Sequence, residues 1–407
     1  MARPGGHTAK PRQRGTNQSG LRQYNERLVL SLIRRFKALS KAEIARKTGL
    51  TAQTISVIMN RLEADRLVVK QAPVRGRVGQ PSVPFALNPD GAFSLGLKVG
   101  RRSFDLSLVD FVGNVRSTLR ETFSYPAPAR LEAFVAKGVD VLTSDLAPDV
   151  RARIAGFGVA TPYEMWSWSE ELHAPSEAMQ EWRHFDFESV IGGIWGGRVH
   201  VCNDATAACA AELIFGNPER HLDFLYLYIG AFVGGGVVLG GSLFVGPHGN
   251  AGAIGSLPVP TRTPAGTPGT EQLILRASKL TLERKLRAAG RDATAIWTAS
   301  EAWSGLDPML DDWIEEVASG LAHAVVSSIS VIDFPVAVID GAMPVGVRAD
   351  IVRRTREKLG AFNRRGLSPV AIVEGTIGVS ARTLGSASLP LLADFAIDSS
   401  VLFKPGQ

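Results

Sequence analysis

The segment from Leu39 to Val69, LSKAEIARKTGLTAQTISVIMNRLEADRLVV, contains two short capped helices separated by a single glycine. Ser40 stands three residues before Glu43, the pairing in which each side chain satisfies the other residue's backbone N–H, so a helix is predicted to begin at Lys41 with Ile44 beneath it. Gly49 ends that helix, because glycine enters the left-handed region without a Cβ clash. Thr51 is placed to cap a second helix, whose Ile55, Ile58 and Leu62 recur at helical spacing and face a core. Its opposite face presents Ala52, Gln53, Thr54, Ser56 and Asn60, small or hydrogen-bonding side chains of the kind that enter a major groove and meet base edges. Lys41 and Arg61 complete the candidate DNA-binding set on these two helices. An upstream helix, roughly Arg22 to Ala38, supplies Val29, Leu32, Ile33 and Phe36 to close a three-helix core. This is the layout of a DNA-reading helix-turn-helix; the competing reading is an ordinary small helical subdomain.

Beyond Asp65 the pattern turns extended, with Leu67 to Val69 and Val83 to Leu87 flanking the basic stretch Pro73 to Pro81. A hairpin is predicted whose tip, as in a winged helix, carries Arg75 and Arg77 to phosphates or a narrow minor groove. A flexible basic linker is the alternative. Charge favours the wing: residues 1–90 hold 17 Lys and Arg against 5 Asp and Glu, whereas the remaining residues hold 28 against 34. Basicity confined to one end points to a polyanionic partner, double-stranded operator DNA, for that end. The first twenty residues, rich in Gly, Pro, Arg and Lys and without an acid, are expected to be a disordered tail. A transit peptide is the competing idea, against which stands the lack of an amphipathic apolar face.

The whole chain has 407 residues, 45% of them hydrophobic, enough for two or three cores. Two cysteines do not build a disulfide framework, and no secretory signal is read, so a cytoplasmic location is expected. Phe224 to Gly246 is free of charge but contains seven glycines, which disfavour a membrane helix; strand, glycine loop, strand, with Gly240–Gly241 as a tight turn, fits better. From Phe93 onward strands alternate with helices: Ser94 to Val99, Ser103 to Asp110, a strand from Val115, a helix from Ala129 to Leu146, strands at Arg153 to Ala160 and Val199 to Val201, and a helix from Ala205 to Phe215. Phe224 to Leu239, Val336 to Gly341 after a helix from Pro308 to Val331, and Ile372 to Thr376 repeat the theme. An α/β assembly follows. The domains expected are the tail at 1–20, a winged helix-turn-helix at 21–90 and an α/β domain at 91–407.

Three stretches carry a resemblance. Val201-Cys-Asn-Asp-Ala-Thr-Ala-Ala-Cys-Ala-Ala-Glu212 is similar to the catalytic asparagine-aspartate block of the ROK family (repressors, open reading frames and kinases), Gly249-Asn-Ala-Gly-Ala-Ile-Gly255 resembles its sugar-contacting loop, and Gly385-Ser-Ala-Ser-Leu389 its closing helix. The resemblance implies a two-lobed, actin-like (ribonuclease H-like) sugar kinase fold behind the winged helix, and a homo-oligomer, dimer or tetramer. It places Asp204 at the general-base position and Asn203 beside it as a hydroxyl partner. The effector-binding candidates are Asn203, Asp204, His248, Gly252 and Trp182. The competing reading of Asp204 is a helix N-cap, which is compatible with ligand contact, and Trp182, with Trp166 and Trp168, is equally read as core and rim packing.

The departures from the family decide the expected activity. Where its kinases cradle ATP phosphates in an Asp-x-Gly-Gly-Thr turn, this chain has Lys98-Val-Gly-Arg-Arg-Ser103; the second phosphate loop is Gly230-Ala231-Phe232 and the third nucleotide element Asp340-Gly341-Ala342. A basic residue replaces the acid that would manage Mg²⁺, and Phe232 crowds a phosphate, so phosphoryl transfer is not expected. Ala253 falls at the family's sugar-contacting glutamate. Ser256 falls at its zinc histidine, and Thr261 to Gln272 holds no cysteine, so neither metal nor cofactor is expected. The leading expectation is a cytoplasmic transcriptional regulator, more often a repressor in this family, that senses a small sugar-like molecule; the alternatives are a sugar kinase with a DNA-binding head and a ligand-free DNA-bound regulator.

Overall fold

The computed structural model describes residues 18–74, 82–169, 174–217, 219, 221–262, 267–298 and 303–397. They divide into a smaller unit, up to Ala86 and again from Phe395, and a larger one from Leu87 to Asp394.

The smaller unit is a winged helix. Helix α1 (Gln18–Phe36) is followed by β1 (Ala38–Ser40), α2 (Lys41–Thr48), α3 (Ala52–Ala64), β2 (Val68–Lys70) and β3 (Pro84–Leu87), with the strands in the order β1-β3-β2. The capping box is complete: Ser40 N donates to Glu43 Oε2 at 2.8 Å and Glu43 N to Ser40 Oγ at 3.3 Å. These bonds hold the Glu43 carboxyl below its usual range. Gly49 closes α2 at φ +72°, its N–H donating to Ala45 O, and Thr51 Oγ1 accepts from Thr54 N at 3.1 Å to open α3. Val29, Leu30, Ile33, Ile44, Ile55, Ile58, Met59 and Leu62 are buried together at the meeting of the three helices. Helix α1 differs from expectation at both ends. Residues 18–20, read as tail, are helical, and the helix stops at Phe36 because Lys37 turns left-handed (φ +70°) and Ala38 to Ser40 pair with β3. Strand pairing satisfies the backbone groups that another helical turn would have used. Val74 pairs with Ser82 at the base of the wing; Arg75, Arg77 and the rest of its tip lie outside the described residues, as does the tail up to residue 17.

The larger unit repeats one topology twice. In the first lobe β4 (Phe93–Val99), β5 (Ser103–Asp110) and β6 (Val115–Thr122) form an antiparallel meander, and β7 (Ile154–Thr161) and β8 (Val199–Asn203) add in parallel on the far side of β4, in the order β6-β5-β4-β7-β8. In the second, β9 (Phe224–Ile229), β10 (Val233–Leu239) and β11 (Ser242–Phe244) repeat the meander, and β14 (Val336–Gly341) and β15 (Ala371–Glu374) the parallel extension, in the order β11-β10-β9-β14-β15. Between them a ribbon of β12 (Pro258–Arg262) and β13 (Pro268–Gln272) pairs antiparallel. Gly240 and Gly241 make the β10–β11 turn with φ of +57° and +73°, which suits the right-handed twist of a two-residue hairpin. β4 and β5 are buried along nearly their whole length, while β6 alternates, the mark of an edge strand with one wet face.

The helices that matter for the site are α4 (Pro128–Thr143), α5 (Phe187–Trp195), α6 (Asp204–Phe215), α7 (Lys279–Ala288), α8 (Met309–Ile332), α9 (Val345–Gly360) and α10 (Ala381–Phe395). α10 lies on the floor of the first sheet at unusually close range. A β-carbon added at Gly96 of β4 would overlap Ala387, one at Gly158 of β7 would overlap the Ser386 carbonyl, and one at Gly385 would overlap the backbone of Ala207 in α6. Ser94 Oγ donates to the Ala387 carbonyl at 2.5 Å within the same contact. Replacing Gly158 or Gly385 by alanine is therefore expected to lower unfolding free energy by about 1–3 kcal/mol or more, whereas Gly346→Ala in α9, where a β-carbon meets open space, leaves it unchanged or raises it; urea denaturation of the three variants makes the comparison.

Candidate nucleic-acid interface and ligand site

The outward face of α3 is the candidate reading surface. Ala52, Gln53, Asn60 and Arg61 are exposed, and Thr54 and Ser56 half-buried. Lys41, half-buried at the start of α2, reaches across to donate to Asn60 Oδ1 at 3.2 Å, so one side chain from each helix is linked on the same face. Arg61 is engaged within the unit by Glu26 at 3.3 Å and Asp65 at 3.7 Å. The polar-face reading passed over Val57, which is 65% exposed in the middle of the helix. Its position one turn from Gln53 and three residues before Asn60 was the available signal, and an exposed apolar side chain there suits a thymine methyl group.

In the larger unit the chain runs from β8 straight into α6, and Asn203 is the residue that caps it: Oδ1 accepts from Ala205 N at 3.0 Å. The expectation that Asp204 caps the helix is thereby corrected; the helix starts one residue earlier, and Asp204 is its first residue, free to point elsewhere. Its Oδ2 takes an ion pair from Arg382 Nη1 of α10 at 3.0 Å. Burial opposes charge on Arg382, but Tyr228 and Asp204 beside it outweigh that and hold the guanidinium above its usual range. Of the remaining effector candidates, His248 is exposed and Gly252, at φ +80°, lies on the backbone of Gly236 in β10. Trp182 is corrected: it is 3% exposed, donates Nε1–H to the Pro126 carbonyl at 3.1 Å and stacks on Phe187 and edge-on to Phe185. Its rings are spent in the first lobe's core, leaving no open face for a sugar.

The three stretches expected from the sequence to correspond to nucleotide elements carry charges that are satisfied within the protein. Lys98 pairs with Asp105 at 2.7 Å, and the same carboxylate accepts from Ser103 Oγ at 2.8 Å and pairs with Arg120 at 3.1 Å. Arg101 lies between two rings, its guanidinium 4.3 Å from the Trp168 centroid and 3.8 Å from that of Phe232. Phe232 thus does more than narrow the second loop; it holds a cation in place. Asp340, fully buried, accepts from Tyr226 Oη, Gly341 N, Gly378 N and Arg348 Nη1, all at 2.8–2.9 Å, and ties β9, β14, α9 and the loop before α10 into one network. Glu212 does the same for the end of α6, accepting from Asn217 N, Thr376 N and Thr376 Oγ1.

Lys279 and Arg382 were missed by the sequence reading. Lys279 opens α7; its N–H donates to Gly230 O at 3.2 Å, and its ammonium donates to Ala342 O at 2.9 Å and sits 4.6 Å from the Trp297 ring. It therefore bridges the loop after β9 and the loop after β14. The signal available was a cation in the first turn of a helix, where the macrodipole opposes it. Of the stretch Thr261 to Gln272, Thr261 and Arg262 lie in β12 and Pro268 to Gln272 in β13, and among the described residues no group of three or more His, Cys, Asp or Glu could hold a metal ion. No helix among them is long and apolar enough to cross a membrane.

Comparison with known proteins identifies the fold. The ROK family model matches residues 94–390, and the MarR family model matches residues 23–77. The chain belongs to the ROK family. It is 23% identical to the xylose repressor of Bacillus subtilis (strain 168) over 250 residues, which span 60% of this chain and 62% of that protein. Among solved structures it resembles a ROK family transcriptional regulator described as a homolog of the E. coli MLC protein (TM-score 0.62, 20% identity, 92% of this chain and 97% of that one). It also resembles the ROK hexokinase of Thermus thermophilus (TM-score 0.54, 22% identity, 74% and 98%). The two-domain ROK architecture expected from the sequence is the one observed, with a winged helix ahead of the duplicated α/β lobes.

Burial, and then Arg382 and Lys98 nearby, lower Lys279 to about 7 against only partial support from Glu283. An unfolded lysine titrates near 10.5, so between about pH 7 and 10.5 the unfolded chain binds more protons and stability rises with pH across that window. Lys279→Met is accordingly expected to stabilise the protein by roughly 2–5 kcal/mol below pH 7, an advantage that shrinks toward pH 10; denaturant midpoints measured for both proteins from pH 6 to pH 10 test the sign.

Proposed function

We propose that this protein is a sugar-responsive transcriptional repressor of the ROK family that reads operator DNA through α3 and the wing and performs no phosphoryl transfer. The observation that carries the reading is an intact helix-turn-helix, with Gln53, Thr54, Ser56, Val57 and Asn60 on its outer face, ahead of a ROK domain; the expected correspondence of Lys98, paired with Asp105, to the family's Mg²⁺-managing acid accords with it. Phosphoryl transfer depends on positioning and charge compensation of the polyphosphate. A general base at Asp204 would also have to be released from Arg382 before it accepted a proton. In this reading Asn203 and Asp204 hydrogen-bond the hydroxyls of a sugar-like effector in place of catalysis, and His248 and Gly252 belong to the loop beside β10. Xylose repressors among the relatives support a carbohydrate as the signal. A homodimer or tetramer would present two α3 helices to half-sites one helical turn, or a multiple of it, apart. The effector acts by binding two states with different affinity, which changes DNA affinity by the same factor. A cytoplasmic site of action accords with this role.

The second reading, a sugar kinase with a DNA-binding head, is favoured by the retained Asn203–Asp204 pair and the likeness to a hexokinase structure. Gel-shift titration on the DNA upstream of the chain's own gene separates the two. Binding is expected to weaken at least about tenfold between 50 and 200 mM salt, and Gln53→Ala to cost about 1–3 kcal/mol of sequence discrimination. Replacing Arg75 and Arg77 together by alanine should weaken binding on all sequences alike. No ADP release is expected with any hexose; turnover that disappears in Asp204→Asn would establish the kinase instead.

A further inference from the structure

We propose that the groove between α1 and α3 seats one sugar–phosphate strand of the duplex, and that Leu21 and Arg22 of α1 belong to the DNA interface beside the reading helix. The inference rests on the reading of α3 as the helix that enters the major groove, and it assigns DNA contact to a helix outside the helix-turn-helix. The groove has a volume of about 400 Å³. One wall is a stripe of α1, Gln18, Leu21, Arg22 and Asn25, whose spacing puts all four on one helix face. The other wall is Gln53, Thr54 and Val57 of α3, with the buried Ile58 behind them. Groove and reading surface therefore share three residues.

The lining identifies the occupant. Leu21 is 50% and Val57 65% exposed, two aliphatic side chains open to water on facing helices. Around them stand Gln18, Arg22, Asn25 and Gln53, none of which has a side-chain hydrogen bond or ion pair with another described residue. Arg61, further along α3, is by contrast held by Glu26 and Asp65. The lining carries a guanidinium and no carboxylate, in the ninety residues where Lys and Arg outnumber acids 17 to 5. A nucleic-acid strand offers both complements in alternation, an apolar deoxyribose for the aliphatics and a phosphate for the donors. A second copy of this unit is itself basic and would bring like charge to like.

Helix geometry puts a strand in the same place. A major groove about 12 Å wide is filled by one α-helix, about 10–12 Å across with its side chains. α1 stands beside α3 and has no room to enter with it, so its stripe meets the edge of the groove, which is the backbone of one strand. At about 100° per residue, Thr54, Val57 and Ile58 fall to one side of Gln53 and Asn60 to the other. On that other side Lys41 of α2 reaches Asn60 at 3.2 Å. The duplex is then gripped at both edges of its major groove, with Lys41 at one and Arg22 at the other. Arg22 reads no base; its phosphate contact fixes the register at which α3 does.

Gel-shift titration of the full chain on the DNA upstream of its own gene, from 50 to 200 mM salt, tests the assignment together with ethylation interference on the same duplex. Arg22→Ala is expected to weaken binding severalfold on specific and scrambled duplex alike. It should also make the slope of log affinity against log salt shallower by about 0.9, the loss of one phosphate contact, whereas Arg22→Lys keeps the slope. Ethylating one or two phosphates at the edge of a half-site should weaken the parent and not weaken Arg22→Ala further. Leu21→Glu, which sets a carboxylate against the same strand, should cost at least about tenfold. Both positions are exposed, so melting temperatures like the parent's are expected. The proposal is overturned, and the reading of α3 kept, if Gln53→Ala loses sequence discrimination while Arg22→Ala and Leu21→Glu keep the parent's affinity and salt slope. It is also overturned if Leu21→Glu changes the oligomeric state by light scattering and Arg22→Ala leaves the slope unchanged, because a second copy then covers the groove. A parent that binds no DNA at any salt ends both readings together.

Discussion

Helix α10 lies against the first sheet and α6 at a distance only glycine permits. Gly96 and Gly158 floor the contact, Gly385 admits the backbone of Ala207, and Ser94 fastens the Ala387 carbonyl. With no β-carbons in the way, a helix from the end of the chain inserts between elements that were laid down some 180 to 290 residues earlier. That insertion delivers Arg382 to Asp204. The small residues of Gly385-Ser-Ala-Ser thus serve the site as well as the fold, because the same close packing sets the helix from which Arg382 reaches Asp204.

The charge arrangement that follows is dominated by cations. A kinase lobe presents backbone amides and an acid for a metal, so that phosphates are shared between protein and Mg²⁺. Here one lobe presents Lys98 and the ring-bound Arg101, the other presents Lys279 through the backbone of Gly230 and Ala342, and α10 adds Arg382. Asp340 turns inward, where four donors from separate elements bind it. Likeness to a hexokinase in fold does not by itself carry that enzyme's activity, because function rests on the groups a site presents and not on the frame that holds them.

Much of this was legible in the chain. The cap residues Ser40, Glu43, Gly49 and Thr51 act within a few residues of themselves, so their roles are readable without tertiary context, and α2 and α3 appear where those residues place them. The strand from Phe224, the twin-glycine turn and the strand after it were readable for the same reason. Errors arose where a distant partner intervened. α1 ends at Phe36 because β3, some fifty residues later, pairs with Ala38 to Ser40. Trp182 looked like a sugar-stacking side chain until Phe185, Phe187 and the Pro126 carbonyl enclosed it. Asn203 rather than Asp204 caps α6, a one-residue difference that the pair Asn-Asp leaves undecided by itself, since both are good caps.

Sequence alone determined the helix-turn-helix and the basic bias of the first ninety residues, since each depends on residue type and on spacing of a few positions. Tertiary structure alone decided that Asp204 is held by a guanidinium and that Tyr228 brings a hydroxyl to it. Those residues lie far apart in the chain, and the electrostatic energy of a group is set by what surrounds it in space. No local pattern of residues records that.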